Sequence, residues 1–460
     1  MLFEDMVAMK LKRPNLKGKN VFHKVDMNSS FDEKTGQFKD ISKIREAAVS
    51  IKYALDCGAR TVIVASHQGD RNKAESLKNH VNVLQFHLPQ EKITFAGKRC
   101  CDELAEMVKN AKKGEIIILD NTRLDEEEWN AKNPAETKMY CMLEKIPDLA
   151  AIKDDPASHR KELCSSTLLE HLSSEGIPIY GGPLLHNDVI MAAKARETLE
   201  KKGGILLLGG RKLADQLELI PQILEKFPKT EALLGGLLSV HMEKALGRNL
   251  GPNIELLRDK DNLKSDEDKM LAQAAEIMEK YRGRITLPQD YFVKTDDTIL
   301  NVPVAEIHNG KVMDIGIKTI IDYKKKIESR RKTSVMINGA MGHYEAAKFV
   351  TGPGFVGGAE VYSAAFDIEN KHFVMCFGGD STAIVNKLGF VPNLHSSSGK
   401  AFFKRIVYGP HFDCEFIFNS NGIEKPRTNE ASERIFNNMN DCNGNNGHSK
   451  NSANGNNGHN

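Results

Sequence analysis

The sequence predicts an α/β protein built from two parallel sheets covered by helices, followed by a low-complexity tail. Three observations predict it. Strand-like apolar runs alternate with amphipathic helical patterns, which argues for parallel strands with helical crossovers. In the second half, four such strands each end in a glycine-containing turn that opens a helix. From about Asn419 the composition turns to Asn and Gly with hardly an apolar side chain, so that stretch cannot offset its chain entropy by burial and is expected to be disordered.

The totals narrow the function classes. A chain of 460 residues that is 40% apolar should hold two or three cored domains. With 64 Lys and Arg against 62 Asp and Glu, the net charge of +2 gives no electrostatic case for a nucleic-acid or membrane partner. No run reaches the ~18 apolar residues of a membrane span. The first residues, MLFEDMVAMKLKRP, lack the apolar core of a secretory signal. The eight cysteines show no CxxC and no zinc spacing. They read as reduced thiols in a cytoplasmic protein.

In the first half, four strands have polar downstream ends. NVFHKVDMNSS ends in Asp26 and Asn28, ARTVIVASHQGDR in Ser66, His67, Asp70 and Arg71, EIIILDNTR in Asp120, Asn121 and Arg123, and LAAIKDDPASHR in His159 and Arg160. The helical pattern ISKIREAAVSIKYALDCG lies between the first two and stops at Gly58. Ligands of parallel sheets bind beyond the strands' carboxyl ends. Lys24, Lys43, Arg123, Arg160 and the two histidines would therefore form a basic cup with two acceptors, Asp26 and Asn28. Guanidinium and ammonium groups pair with phosphate and carboxylate, so the partner expected is a small, highly anionic molecule. The segment 161–203 reads as mainly helical, broken by Gly176, Pro178 and Gly181-Gly182-Pro183. It suggests a substrate domain over 1–175, a second domain over 176–418, and the tail over 419–460.

The second half repeats strand, glycine turn, helix. GILLLGGRKLADQLELI places Lys212 at a helix start; EALLGGLLSVHMEKAL carries Gly235 and Gly236; SVMINGAMGHYEAAKF carries Asn338 and, early in its helix, Glu345; FVMCFGGDSTAIVNKL carries Gly378, Gly379, Asp380 and Ser381. Glycines let the backbone approach a ligand, and the following helix starts offer N–H groups and a positive dipole end to phosphate. Asp380 is placed to serve a metal bridging phosphate oxygens. Neither GxGxxG nor GxxxxGK[ST] occurs, which disfavours a dinucleotide site and a P-loop.

These motifs, in order and spacing from residue 20 to about 410, resemble the phosphoglycerate kinase family, with some archaeal character. The resemblance runs through Lys24–Asn28, Ser66–Gly69, Asp120–Arg123, His159-Arg160 and Gly181–Pro183. It continues through Gly209–Lys212, Gly235–Leu237, Leu287–Asp290, Asp314–Ile320, Asn338–Gly342 and Gly378–Ser381. It implies two Rossmann-like domains joined by a hinge, the first taking 3-phosphoglycerate or 1,3-bisphosphoglycerate and the second ATP or ADP with magnesium, in a monomer. By that resemblance Asp26 and Asn28 hold the glycerate end, and His67, Arg123 and Arg160 its phosphate and carboxylate. Lys212 steadies the migrating phosphoryl group, Glu345 accepts from the ribose, and Gly235, Gly236, Asn338 and Gly378–Ser381 flank the nucleotide.

Departures fall at the phosphate end. Lysines stand at 24 and 43 where the family has arginines; Asp70 replaces an arginine, with Arg71 one residue away; the late triple-glycine turn is Ser398-Gly399-Lys400. Lysine keeps the charge but loses the planar fork. An active kinase is the leading reading. Alternatives are a non-catalytic descendant that binds nucleotide or phosphoglycerate, and a kinase of another acid.

Overall fold

The computed structural model describes residues 14–29, 31–32, 37–38, 40–69, 71–97, 101–155, 162–210, 212–253, 267–296, 298–343, 356–396, 399–409, 414 and 417. Asp70, His159, Arg160, Glu345, Ser398 and the 419–460 tail lie outside the described residues.

The first sheet is six-stranded: β1 (Asn20–Val25), β2 (Thr61–Ala65), β3 (Ile93–Gly97), β4 (Glu115–Leu119), β5 (Leu149–Asp154) and β6 (Ile179–Gly181). They lie in the order β3-β4-β2-β1-β5-β6, all parallel. Its interior strands are apolar on both faces because helices cover both. Val21, Val62, Val64 and Ile116 point to one core, whereas Phe22, Ile63, Ile117 and Ala151 point to the other. Helix α1 (Ser42–Asp56) packs Ile44, Ala47, Ile51 and Ala54 on the first of these. It ends beside Gly58, whose φ of +97° suits glycine. Strand β6 lies beyond residue 175, so the first sheet reaches to Gly181, further than composition suggested.

Helix α2 (Pro183–Lys202) starts with proline in its first turn and delivers the chain to the second sheet. That sheet holds β7 (Gly204–Leu208), β8 (Glu231–Leu234), β9 (Ile285–Thr286), β13 (Ser334–Asn338), β14 (Phe373–Phe377) and β15 (Leu394–Ser396), in the order β9-β8-β7-β13-β14-β15 and again parallel. Leu206, Met336 and Met375 face one core, and Leu207, Ile337 and Cys376 the other. A three-stranded antiparallel sheet, β10 (Asp290–Thr295), β11 (Thr298–Pro303) and β12 (Lys311–Ile315), sits between the second and third of these units. Helices α3 (Leu213–Lys226), α4 (Gly236–Ala245), α5 (Ile317–Glu328) and α6 (Gly379–Lys387) follow β7, β8, β12 and β14. Here Asp290 explains the Leu287–Asp290 and Asp314–Ile320 motifs. Its carboxylate accepts from Lys318 N (3.0 Å), Thr319 N (3.0 Å) and Thr319 Oγ1 (2.7 Å), closing the first turn of α5.

The last helix, α7 (Lys400–Tyr408), packs along α2. Arg405, fully buried, meets Asp188 of α2 at 3.2 Å, and Arg196 of α2 donates to the carbonyls of Ile406 and Val407. Beyond it, Cys414 and Ile417 are buried in the core of the first sheet, although they belong by position to the second half.

The expectation of reduced thiols holds for Cys57, Cys164, Cys376 and Cys414, which are free, and is corrected at one pair. Cys101 and Cys141 are joined as a disulfide between two neighbouring helices of the first half. They lie 40 residues apart, and nothing in that spacing signals a pair. Among the described residues no helix is long and apolar enough to cross a membrane.

Candidate active site

The cup forms where four parallel strands of the first sheet end. Asp26 follows β1, and its carboxylate takes the Lys43 ammonium from the first turn of α1 at 2.7 Å. The same carboxylate accepts Asn28 N at 2.9 Å. Burial works against the charged form, but the Lys43 ammonium, by its charge and its hydrogen bond, holds the Asp26 pKa below its ordinary value. Asn28 Oδ1 accepts from Gly69 N (3.0 Å), which ties the β1 loop to the β2 loop.

His67 is 5% exposed, with Nε2 3.9 Å from Asp26 Oδ1. Burial pushes its pKa down to about 3, although Asp26 pulls the other way. The ring is therefore neutral near pH 7 and offers a hydrogen bond rather than a charge. Arg123 follows β4. Its guanidinium donates to Gly69 O (2.6 Å) and Glu162 Oε1 (2.9 Å), and it lies 5.1 Å from the centre of the Trp129 ring. Arg71 comes to the same ring at 5.6 Å and donates to Asn130. The two arginines thus share one aromatic wall, which a short helical turn after β4 supplies. Sequence reasoning missed Trp129 and Glu162 because neither stands at a strand end. The one tryptophan of the chain was the available signal.

Lys24 is not part of the cup's surface. It is fully buried and paired with Asp155 at 3.2 Å. Burial disfavours its charge, yet the Asp155 and Glu128 carboxylates hold its pKa up. Its role is to join β1 to the loop after β5.

The second sheet presents a ledge of bare backbone. β8, β7, β13 and β14 are adjacent, and Leu234, Leu208, Asn338 and Phe377 are in register at their ends. The turns that follow interlock: Gly209 N donates to Asn338 O (3.0 Å), Gly210 N to Ala340 O (2.7 Å), and Gly236 N to Met341 O (2.6 Å). Gly236 has φ +55°, and a Cβ there would stand 2.5 Å from Ala340 O, so no side chain fits. Ser381, in the first turn of α6, accepts Gly339 N at 2.7 Å, and Tyr362 donates to Gly339 O at 2.8 Å. Gly378 is the residue before α6, with φ +80°. Gly379 and Asp380 open that helix, leaving their N–H groups at its start.

Lys212 stands at the start of α3, exposed, its side chain without a hydrogen bond or ion pair among the described residues. Lys400 is held by Asp215 (3.2 Å) and Glu218 (2.5 Å) of α3. Gln216 donates to Asn338 O at 3.4 Å.

A cationic, hydrogen-bonding cup at one sheet's carboxyl edge and a main-chain ledge at another's is the arrangement that the comparisons with known proteins explain. Residues 11–406 match the phosphoglycerate kinase family. The chain belongs to the phosphoglycerate kinase family. The phosphoglycerate kinase of Thermosipho africanus is 30% identical over 413 residues, covering 86% of this chain and 93% of that protein. That of the archaeon Thermoplasma acidophilum is 25% identical over 391 residues, covering 84% and 91%. Among solved structures, phosphoglycerate kinase from Pyrococcus horikoshii OT3 superposes with a TM-score of 0.74 at 24% identity, over 90% of this chain and 99% of that one. The Coxiella burnetii phosphoglycerate kinase gives 0.66 at 21% identity. The expected fold class and the family resemblance are both borne out.

Proposed function

We propose that this chain moves a phosphoryl group between the acyl phosphate of 1,3-bisphosphoglycerate and ADP and, in reverse, from ATP to the carboxylate of 3-phosphoglycerate. The observation that carries the reading is family membership over residues 11–406, together with a cup and a ledge at the carboxyl edges of two parallel sheets. Asp26 and Asn28 would position the glycerate. His67, as a neutral donor, and Arg123, Arg71 and Arg160 would take its phosphate and carboxylate. Asp70 would line the same loop. Lys43 and Lys212 would neutralise the phosphoryl group in flight. Gly235, Gly236, Asn338 and Gly378–Ser381 would flank the nucleotide, with Glu345 at its ribose.

An acyl phosphate is a reactive donor, so positioning and charge neutralisation do most of the work, in a site emptied of water. Magnesium would enter with the nucleotide. Among the described residues no three His, Cys, Asp or Glu side chains gather as a cage for a metal. A donor set of one carboxylate, Asp380, with phosphate oxygens suits a hard cation that keeps several waters. Bound there, it would neutralise phosphate charge. The hinge would fall at α2, which follows the first sheet's last strand, ending at Gly181, and precedes the second sheet's first, starting at Gly204. The chain would act as a cytoplasmic monomer.

One observation favours a second reading, a weakened or silent member that binds without turnover. The Lys43 ammonium is turned onto Asp26, and Arg123 is turned onto Glu162. A coupled assay with MgATP and 3-phosphoglycerate separates the two. Turnover that collapses in Lys212→Ala supports the kinase. Nucleotide binding by calorimetry with no turnover supports the silent binder, and turnover unchanged in Lys212→Ala removes that lysine from the transfer site.

A further inference from the structure

A cavity of about 90 Å³, partly open to the surface, lies in the first half, beside the cup but outside it. Leu119, Met139, Met142 and Leu163 give it apolar walls, and Thr122 and Glu128 also line it. Both polar residues are almost wholly buried, at 5% and 3% exposure. Among the described residues Thr122 Oγ1 and Glu128 Oε1 have no hydrogen-bond partner. Glu128 Oε2, by contrast, accepts from Cys164 N at 3.2 Å. A buried acceptor without a donor costs free energy, and a carboxylate most of all. Beyond the Thr122 hydroxyl and the amide and thiol of Cys164, the described residues of the wall offer these oxygens no donor.

Charge at the rim says which donor. Asp120, Asp125 and Glu127 border the cavity together with one ammonium, that of the exposed Lys138. Lys24 faces Glu128 only through space and gives its hydrogen bond to Asp155 (3.2 Å), and Arg123 is held by Glu162 (2.9 Å). The volume is below the ~150 Å³ of an apolar cavity that admits benzene, so the occupant is small. Thioether side chains adapt to irregular shapes, which suits a short alkyl chain.

We propose that this cavity is a binding site for a small organic ammonium, its charged head on Glu128 and Thr122 and its alkyl body between Met139, Met142 and Leu163. The cavity and the cup share the turn Asn121–Arg123, so an occupant adjoins the substrate site without entering it.

The test uses the full chain with ¹³C-methyl methionine, n-butylammonium as probe and n-butanol as its neutral isostere, both at pH 7. Binding is read from methyl shifts without turnover, so the result stands apart from the kinase reading. The Met139 and Met142 signals are expected to shift saturably with n-butylammonium and not with n-butanol. Glu128→Gln should weaken that binding by about tenfold or more. Met142→Trp, which fills the space, should abolish it while the melting transition persists. No saturable shift, equal binding of n-butanol, which would mean a merely apolar hole, or unchanged affinity in both variants overturns the proposal.

Discussion

Lys43 and Asp154 show two opposite uses of burial near one sheet edge. Lys43 gives its charge to Asp26 and, in the proposed reaction, lends it to the phosphoryl group. Lys43→Ala is expected to lower kcat by about 10²-fold, as loss of a preorganised charge does. Lys43→Arg is expected to raise it, because the planar fork suits phosphate better; a coupled assay checks both. Asp154 is buried at the end of β5, with Oδ1 accepting Leu185 N at 2.7 Å. Burial raises its pKa to about 7, against the hydrogen bonds it accepts. Unfolded, it titrates near ~3.9, so between about pH 4 and 7 the folded chain holds a proton that the unfolded chain has lost. Stability from this group is full below pH 4, falls as pH rises to about 7, and is level above. In Asp154→Asn that slope should be absent, and melting temperatures across pH 4–8 would show it. The acids and bases at strand ends were legible in the sequence, since the sheet rule places them. Their pairing was not. Lys24 and Lys43 look alike as letters, and only packing decides that one is sealed against Asp155 while the other reaches Asp26.

At the scale of elements, three of the four strand–glycine–helix units of the second half were legible, because glycine at those turns has a steric cause; the helix expected directly after Asn338–Gly342 lies outside the described residues. The antiparallel sheet β10–β12 was harder to read; of it, only a strand near residue 290 stood out. Its short strands lack a continuous apolar run, and β11 is largely exposed. The α2–α7 pairing was also hidden, since Arg405 and Asp188 lie 217 residues apart. That contact is buried on both sides, so removing Arg405 takes a charged partner from a buried carboxylate. Arg405→Met is expected to cost about 3–5 kcal/mol in urea unfolding. A loss below about 1 kcal/mol would mean that Asp188 finds another partner.

For the whole molecule, the reaction demands that cup and ledge meet and exclude water, and the two sheets are joined through α2. Small-angle scattering should show a smaller radius of gyration with phosphoglycerate and nucleotide together than with either alone. An unchanged radius under saturation would count against closure. The plan of two sheets could be read from alternation, but the path of the chain's last described residues could not. Cys414 and Ile417 follow a stretch that looked like the end of the second unit, yet they plug the core of the first. A ribosome makes those two residues hundreds of positions after the strands they cover. The half that emerges first must therefore wait, with part of its interior open, until the other half has been synthesised and the returning segment closes it.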